Sequence, residues 1–285
     1  MAYGDAWSWD ETLMAFVAYL CMNQQQRNNK KNPVYVQLAQ TIDRTPDAVY
    51  RKIFNIAAYD QNRIAEGHKG LSHGSKRDRE VWQRLADEGD ALITHAAQLL
   101  PQQTREALGI IEPQISLDTP IQADFDSTAE APTPGSTVAQ HPVPSSPPPE
   151  SGTTALATVS TRIGQQYFRN SLIQNYGGAC CMTGLAIPRL LAASHIKPWA
   201  SDTSPEERMD ASNGLLLNAL HDKAFDQGLI TVGFDDRIVV SSQVGHDEAA
   251  DRMLWSLNGQ SIRRPETRPP GRTYLEYHHD VVFRP

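Results

Sequence analysis

Residues 190–228 read LLAASHIKPWASDTSPEERMDASNGLLLNALHDKAFDQG, and this stretch decides the fold of the second half of the chain. Leu190 to Ile196 is an apolar, strand-like run with His195 near its end. Gly214 to Leu217 is a second such run, preceded by Asn213. Asn218 is placed to cap a helix that stops at Gly228, a residue suited to the turn after a helix. The expected order is strand, strand, helix. His195, Asn213, Asp222 and Asp226 mark it at spacings of 18, 9 and 4 residues.

Geometry sorts the polar residues of the helix. Asp222 and Asp226 are four apart, about 40° round the helix and one turn up, so they can share one ion. His221 is five residues from Asp226, about 140° away, and joins them only if the helix start is distorted. Carboxylate oxygens suit Mg²⁺ or Mn²⁺, hard ions that also bind phosphate. A neutral histidine nearby can take a proton from water at pH 7. Together these groups have what phosphodiester hydrolysis needs. Each has a plainer reading when taken alone. A histidine at a strand end is often structural, an Asp pair is often a solvated face, Asp226 could cap the next turn, and Asn before Gly often marks a turn. Their order within one strand–strand–helix unit favours chemistry.

Around this unit, Thr161 to Tyr176 reads as a helix. Leu229–Val232 and Arg237–Ser241, joined across residues 233–236, read as a hairpin. From about Pro113 to Thr158 the chain is rich in Pro, Ser and Thr, with a run at Pro147, Pro148 and Pro149. Such a stretch buries too little apolar surface to offset its ordering entropy, so a disordered, extended linker is expected over 113–158. It separates a helical domain, 5–105, from an α+β domain, 159–285. In the first, Ser8 with Glu11 has the pattern of a capping box ahead of an apolar run from Leu13. Pro33 opens a helix through Ile42. Thr45 and Pro46 then start another, with Val49, Ile53 and Ile56 on one stripe. Arg51, Lys52 and Asn55 fall off that stripe. A short helix, a tight turn and a polar second helix suggest a helix-turn-helix and DNA contact; a face that merely meets water is the alternative.

Composition limits the field. The 285 residues are enough for two cores, with 40% hydrophobic and 21% charged residues. The net charge of -7 is unevenly spread: residues 1–110 carry 13 Lys/Arg and 13 Asp/Glu, whereas residues 111–158 carry six acids and no base. Neither flanking part is strongly basic, so weak, salt-sensitive DNA affinity is expected. Three cysteines, with Cys180 and Cys181 adjacent, make neither a disulfide framework nor a structural zinc site, and point to a reducing compartment. Leu13 to Met22 is too short to span a membrane, and the acids Asp10 and Glu11 before it do not suit a secretory signal.

Several ordered segments carry a family resemblance. They are Arg162 to Arg169, Cys181 to Gly184, Ala193 to Trp199, Asn213 to Leu217 and Phe225 to Ile230. Residues 160–285 resemble the HNH endonucleases, in the bacterial branch with a fused N-terminal domain. Arg44 to Val49, with Gly70 to Ser72 and Ser75 to Arg79, resemble that fused domain in bacterial proteins assigned as restriction endonucleases. The resemblance implies a ββα-metal fold, a DNA substrate, one divalent ion and a cytoplasmic, bacterial setting. It implies His195 as general base, Asn213 as the residue that holds the loop and orients the base, and Asp222 and Asp226 at metal-binding positions. His221 stands one residue before the position where the family has its last histidine, and Ser194 stands where a metal ligand often precedes the base. Either the helix carboxylates hold the ion or its affinity is low and Mn²⁺ is preferred. Arg162, Arg169 and Lys197 flank the motif as candidates for phosphate contact. Cutting both strands would need a homodimer or sequential nicking. A DNA-binding regulator with a degenerate nuclease domain, and a protein-interaction module, are the competing functions.

Overall fold

The computed structural model describes residues 6–67, 74–110, 153–199, 203–265 and 267–285. The motif segment Gly70 to Ser72 and the expected linker up to residue 152 lie outside the described residues.

The first helix, α1 (Trp9–Cys21), starts at the expected capping box: the Ser8 hydroxyl accepts from the Glu11 amide at 3.1 Å, and the Glu11 carboxylate accepts from the Ser8 amide at 2.6 Å. Every residue from Thr12 to Cys21 is buried, so α1 is apolar on all sides and sits in the middle of a bundle. After α2 (Gln24–Asn28) come α3 (Pro33–Thr41) and α4 (Pro46–Ala57), where Thr45 caps the latter and Pro46 occupies its first turn. The short α5 (Gln61–Ala65) leads to α6 (Lys76–Glu88), α7 (Asp90–Leu99) and α8 (Gln102–Ala107). α4, α6 and α7 all pack on α1.

The next helix, α9 (Thr153–Asn175), is longer than the sequence reading. It begins eight residues before Thr161 and takes up the last part of the stretch expected as linker. Val159, Ile163 and Tyr167 belong to the core of the N-terminal bundle, whereas Phe168, Leu172 and Tyr176 belong to the core of the C-terminal half. Each set repeats every four residues, and the step from Tyr167 to Phe168 turns the buried face by about 100°. One helix is therefore shared by both cores.

The C-terminal half follows the expected strand–strand–helix order. β1 (Leu191–His195) pairs antiparallel with β2 (Gly214–Asn218), so that Leu191 faces Asn218 and His195 faces Gly214. Between them lies α10 (Pro205–Met209). α11 (Ala219–Asp226) is capped by Asn218 and packs on both strands. Gly228 ends it at φ +70°, where a side chain would meet the Val282 carbonyl oxygen at 2.1 Å. The hairpin β3 (Ile230–Val232) and β4 (Ile238–Val240) follows as expected, then α12 (Glu248–Met253) and α13 (Arg272–Tyr277). The three cysteines are free and buried, Cys21 in the N-terminal core and Cys180 and Cys181 in the C-terminal one. Among the described residues, no helix is long and apolar enough to cross a membrane.

The polar face expected on α4 is different in structure. Lys52 is 2% exposed, and its ammonium lies 2.5 Å from the buried Asp78 carboxylate at the start of α6. It is an internal ion pair and is not available to DNA, because removing either partner would leave an uncompensated buried charge. Arg51 is exposed and pairs with Asp47 one turn earlier at 2.7 Å. Asn55 is half-buried, with its side-chain oxygen enclosed.

Candidate active site

β1 ends at His195, and the backbone directly after it is stapled by Asn213. The Asn213 side chain is fully buried; its oxygen accepts from the Lys197 amide at 2.8 Å, and its amide donates to the carbonyls of Lys197 at 3.3 Å and Glu207 at 2.9 Å. The Ile196 amide adds a bond to the Asn213 carbonyl at 3.0 Å. Asn213 thus closes both ends of the excursion between β1 and β2. An aliphatic residue there would leave three backbone groups unpaired.

The His195 ring is held on several sides. Phe168 of α9 stacks on it, with centroids 3.8 Å apart and planes within 9°, and Trp199 meets it edge-on at 5.6 Å. Nε2 lies 3.0 Å from the Arg208 carbonyl oxygen. A carbonyl can only accept, so Nε2 carries the proton and Nδ1 keeps its lone pair. Burial pushes the imidazole below its ordinary pKa and the Arg208 charge adds to this, while the Arg208 carbonyl partly opposes it. The histidine is a neutral base at pH 7. Opposite it, Gly214 makes the stack possible: a Cβ there would lie 2.5 Å from the Phe168 ring and 2.7 Å from Leu172.

α11 presents two faces. Ala224 and Phe225 face the core, and so does His221, which is 3% exposed. Its Nδ1 accepts from the Asn218 side chain at 3.0 Å, and its Nε2 donates to the Met253 carbonyl at 3.0 Å. Burial opposes its charged form, but hydrogen bonding to Cys180 and to Met253 outweighs that and raises its pKa. In turn, burial works against the Cys180 thiolate, yet hydrogen bonds from His221 and Thr183 bring it down to about 7. His221 is therefore a core residue on the far side of the helix, and the possibility that it joins the aspartates is corrected. Asp222 and Asp226 share the other face, as their spacing predicts. Partial burial and then the Asp222 charge raise the Asp226 pKa, with Lys223 opposing them.

Ser194, His195, Trp199, Asp222, Asp226 and His278 line one cleft of about 420 Å³. The Ser194 hydroxyl is buried and has no hydrogen-bond partner. Two carboxylates on one helix face, beside an orphaned hydroxyl, fit a hard divalent cation that keeps several water or phosphate oxygens. Among the described residues, no three His, Cys, Asp or Glu side chains cluster to hold an ion by themselves. The protein donors toward a cation are therefore few.

The flanking cations have other partners. Arg169 donates to the carbonyls of Leu191 at 2.7 Å and Pro188 at 2.9 Å, bracing the start of β1. Lys197 pairs with Glu207 at 3.1 Å. Arg162 is exposed on α9. His278, which a sequence reading would leave on the surface, is 1% exposed. It stacks on Phe225 at 3.8 Å, with Nδ1 on Thr231 and Nε2 on the Phe225 carbonyl. Burial pushes it down to about 4, helped by His279 and opposed by the Phe225 carbonyl. Phe168, Trp199 and Arg208 support His195, yet nothing in their spacing distinguishes them from ordinary core or surface residues.

Residues 180–233 match the family model described as HNH endonuclease. This nuclease-type segment, which holds β1, β2, α11 and all four of His195, Asn213, Asp222 and Asp226, is assigned to the HNH endonuclease family. No curated protein matches the chain.

Proposed function

We propose that the chain is a DNA endonuclease that hydrolyses phosphodiester bonds with one divalent ion, Mg²⁺ or Mn²⁺, in restriction or another form of genome defence. The observation that carries this reading is a neutral His195, with its proton committed to Nε2, facing the same cleft as the Asp222 and Asp226 carboxylates. His195 Nδ1 takes a proton from the attacking water. Asn213 holds the loop so that the imidazole keeps its aim. Asp222 and Asp226 hold the ion. When bound, the ion would neutralise charge developing on the phosphate and the leaving oxygen. Arg162, at the exposed surface of α9, and Arg51, exposed on α4, are candidates for contact with the DNA backbone. On this reading residues 5–105 select or bind DNA, and 159–285 cut it.

The small set of protein donors supports a second reading, a DNA-binding regulator whose nuclease domain has lost its ion. One experiment separates the two. Supercoiled plasmid, unmodified or carrying modified cytosines, is incubated with the full chain and Mg²⁺, Mn²⁺ or EDTA, beside the His195→Ala variant. Cutting that needs both metal and His195 is expected, and any difference between plasmids identifies modification dependence. DNA binding without cutting in any metal would favour the regulator. Normal cutting by His195→Ala would remove the histidine from its role.

A further inference from the structure

The two supports of His195, the Arg208 carbonyl and the Asn213 side chain, both belong to the segment running from the last turn of α10 to the start of β2. That segment is itself gripped from the N-terminal bundle. Asn62 of α5 lies 7% exposed between the two halves, and its side chain is used up in reaching across. Its oxygen accepts from the Ala211 amide at 3.2 Å, and its amide donates to the Met209 carbonyl at 3.1 Å and the Tyr167 hydroxyl at 3.0 Å. Asn62 is set in place by the buried Asp60, whose carboxylate accepts from the Asn62 backbone N–H at 2.9 Å, the Tyr167 hydroxyl at 2.7 Å and the Tyr19 hydroxyl. A second tie runs in parallel: Asp90 at the start of α7 pairs with Arg208 at 2.9 Å. The bundle also touches α10 directly, since a Cβ on Gly89 would lie 2.8 Å from Pro205.

We propose that Asn62 is a positioning residue, through which the N-terminal bundle holds the backbone of residues 208–213 and so fixes the aim of His195. The proposal rests on His195 being the general base. Met209 and Ala211 are each within two residues of a His195 support, Arg208 or Asn213, so freeing them loosens both supports together. The bundle is then a structural part of the catalytic centre as well as a candidate DNA reader. A small displacement of a general base costs rate steeply, while substrate binding to the backbone is left alone.

The test uses the full chain with Asn62→Ala, which leaves the Met209 carbonyl and Ala211 amide without partners, and with Tyr167→Phe, which keeps the ring and removes only the hydroxyl that orients Asn62. Val17→Ala, inside the bundle core, is the control for general loss of stability. Amide hydrogen exchange is read residue by residue, and plasmid cutting gives kcat and KM. Asn62→Ala is expected to speed exchange at Lys197 and Asn213 with the α1 amides still protected, and to lower kcat about 10- to 100-fold with KM unchanged. Tyr167→Phe moves both in the same direction by less, and carries the test if Asn62→Ala does not fold. Val17→Ala speeds exchange throughout without the kcat loss. Unchanged exchange at Lys197 and Asn213 in folded Asn62→Ala overturns the proposal whatever happens to cutting. If the wild type cuts nothing, the nuclease reading fails, and the exchange pattern still decides whether Asn62 is the clamp.

Discussion

At the scale of single residues, the cleft combines a neutral base with two acids that repel one another. Burial keeps His195 below its ordinary pKa, and partial burial and then the Asp222 charge raise that of Asp226. Opposing carboxylates without a cation are a cost to the fold, which a bound ion would relieve. Asp226→Asn is therefore expected to raise the melting temperature slightly in EDTA and to remove any stabilisation by Mn²⁺ or Mg²⁺. In the wild type, an ion at about 100 times its Kd would add about 2.7 kcal/mol. Calorimetry of both proteins with and without ion checks this, and an equal ion response in the two would take Asp226 out of the site. His278 gives a pH dependence of known sign. Its folded pKa, about 4, lies below the ordinary histidine value, so the unfolded chain binds this proton first. The contribution is fully present above about pH 6.5 and is lost as pH falls toward 4, on the order of 3 kcal/mol in all. Urea unfolding at pH 7 and pH 4.5 should show a smaller loss in His278→Leu than in the wild type.

The same scale shows which residues a sequence can speak for. The placement of His195, Asn213, Asp222 and Asp226 was legible because it follows from local order: a strand end, a residue before a strand, and two positions one helical turn apart. The burial of Lys52 was not, and for His221 the spacing indicated the face but not what holds it, because the partners of both are remote in sequence. Met253 fixes His221 from 32 residues away, and Asp78 holds Lys52 from 26 residues away. A helical wheel separates faces and is silent on which of them a distant acid will cover. His278 hid for the same reason: its partners Phe225 and Thr231 lie about 50 residues back.

At the scale of elements, the strand–strand–helix unit announced itself through apolar runs, the Asn218 cap and the Gly228 stop. α9 did so only in part. Its first turns, Thr153 to Ser160, mix Ala and Leu with Thr, Val and Ser, and Val159 and Ile163 anchor them in a core in the other half of the molecule. The contact of α9 with β2 is close enough to test by one methyl group. Gly214 has an extended backbone, so Ala is not strained there by its dihedrals; the conflict is with Phe168 and Leu172. Gly214→Ala should cost about 1–3 kcal/mol through overpacking and should tilt the ring on which His195 rests. Denaturant unfolding would show the first effect and slower plasmid cutting the second. An unchanged midpoint would mean that α9 yields freely at this contact.

At the scale of the whole molecule, α9, the Asn62 clamp and the Arg208–Asp90 pair join two cores that composition alone would treat as separate domains. The described parts should therefore unfold together. A single calorimetric transition, with calorimetric and van't Hoff enthalpies in agreement, is expected; two resolved transitions would show that the junction is weaker than its buried hydrogen bonds indicate.

The three buried cysteines turn this coupling into something that can be timed. One thiol sits in the bundle core and two sit in the C-terminal core, all shielded from reagent. An alkylating probe under native conditions can reach them only when the surrounding core opens, so each thiol acts as a clock on its own half. If the halves breathe as one, Cys21 and Cys181 will be modified at the same rate, and Asn62→Ala will make the two clocks run apart. Cys180, whose thiol pKa the His221 hydrogen bond brings down to about 7, will be the first to react if the C-terminal half loosens by itself.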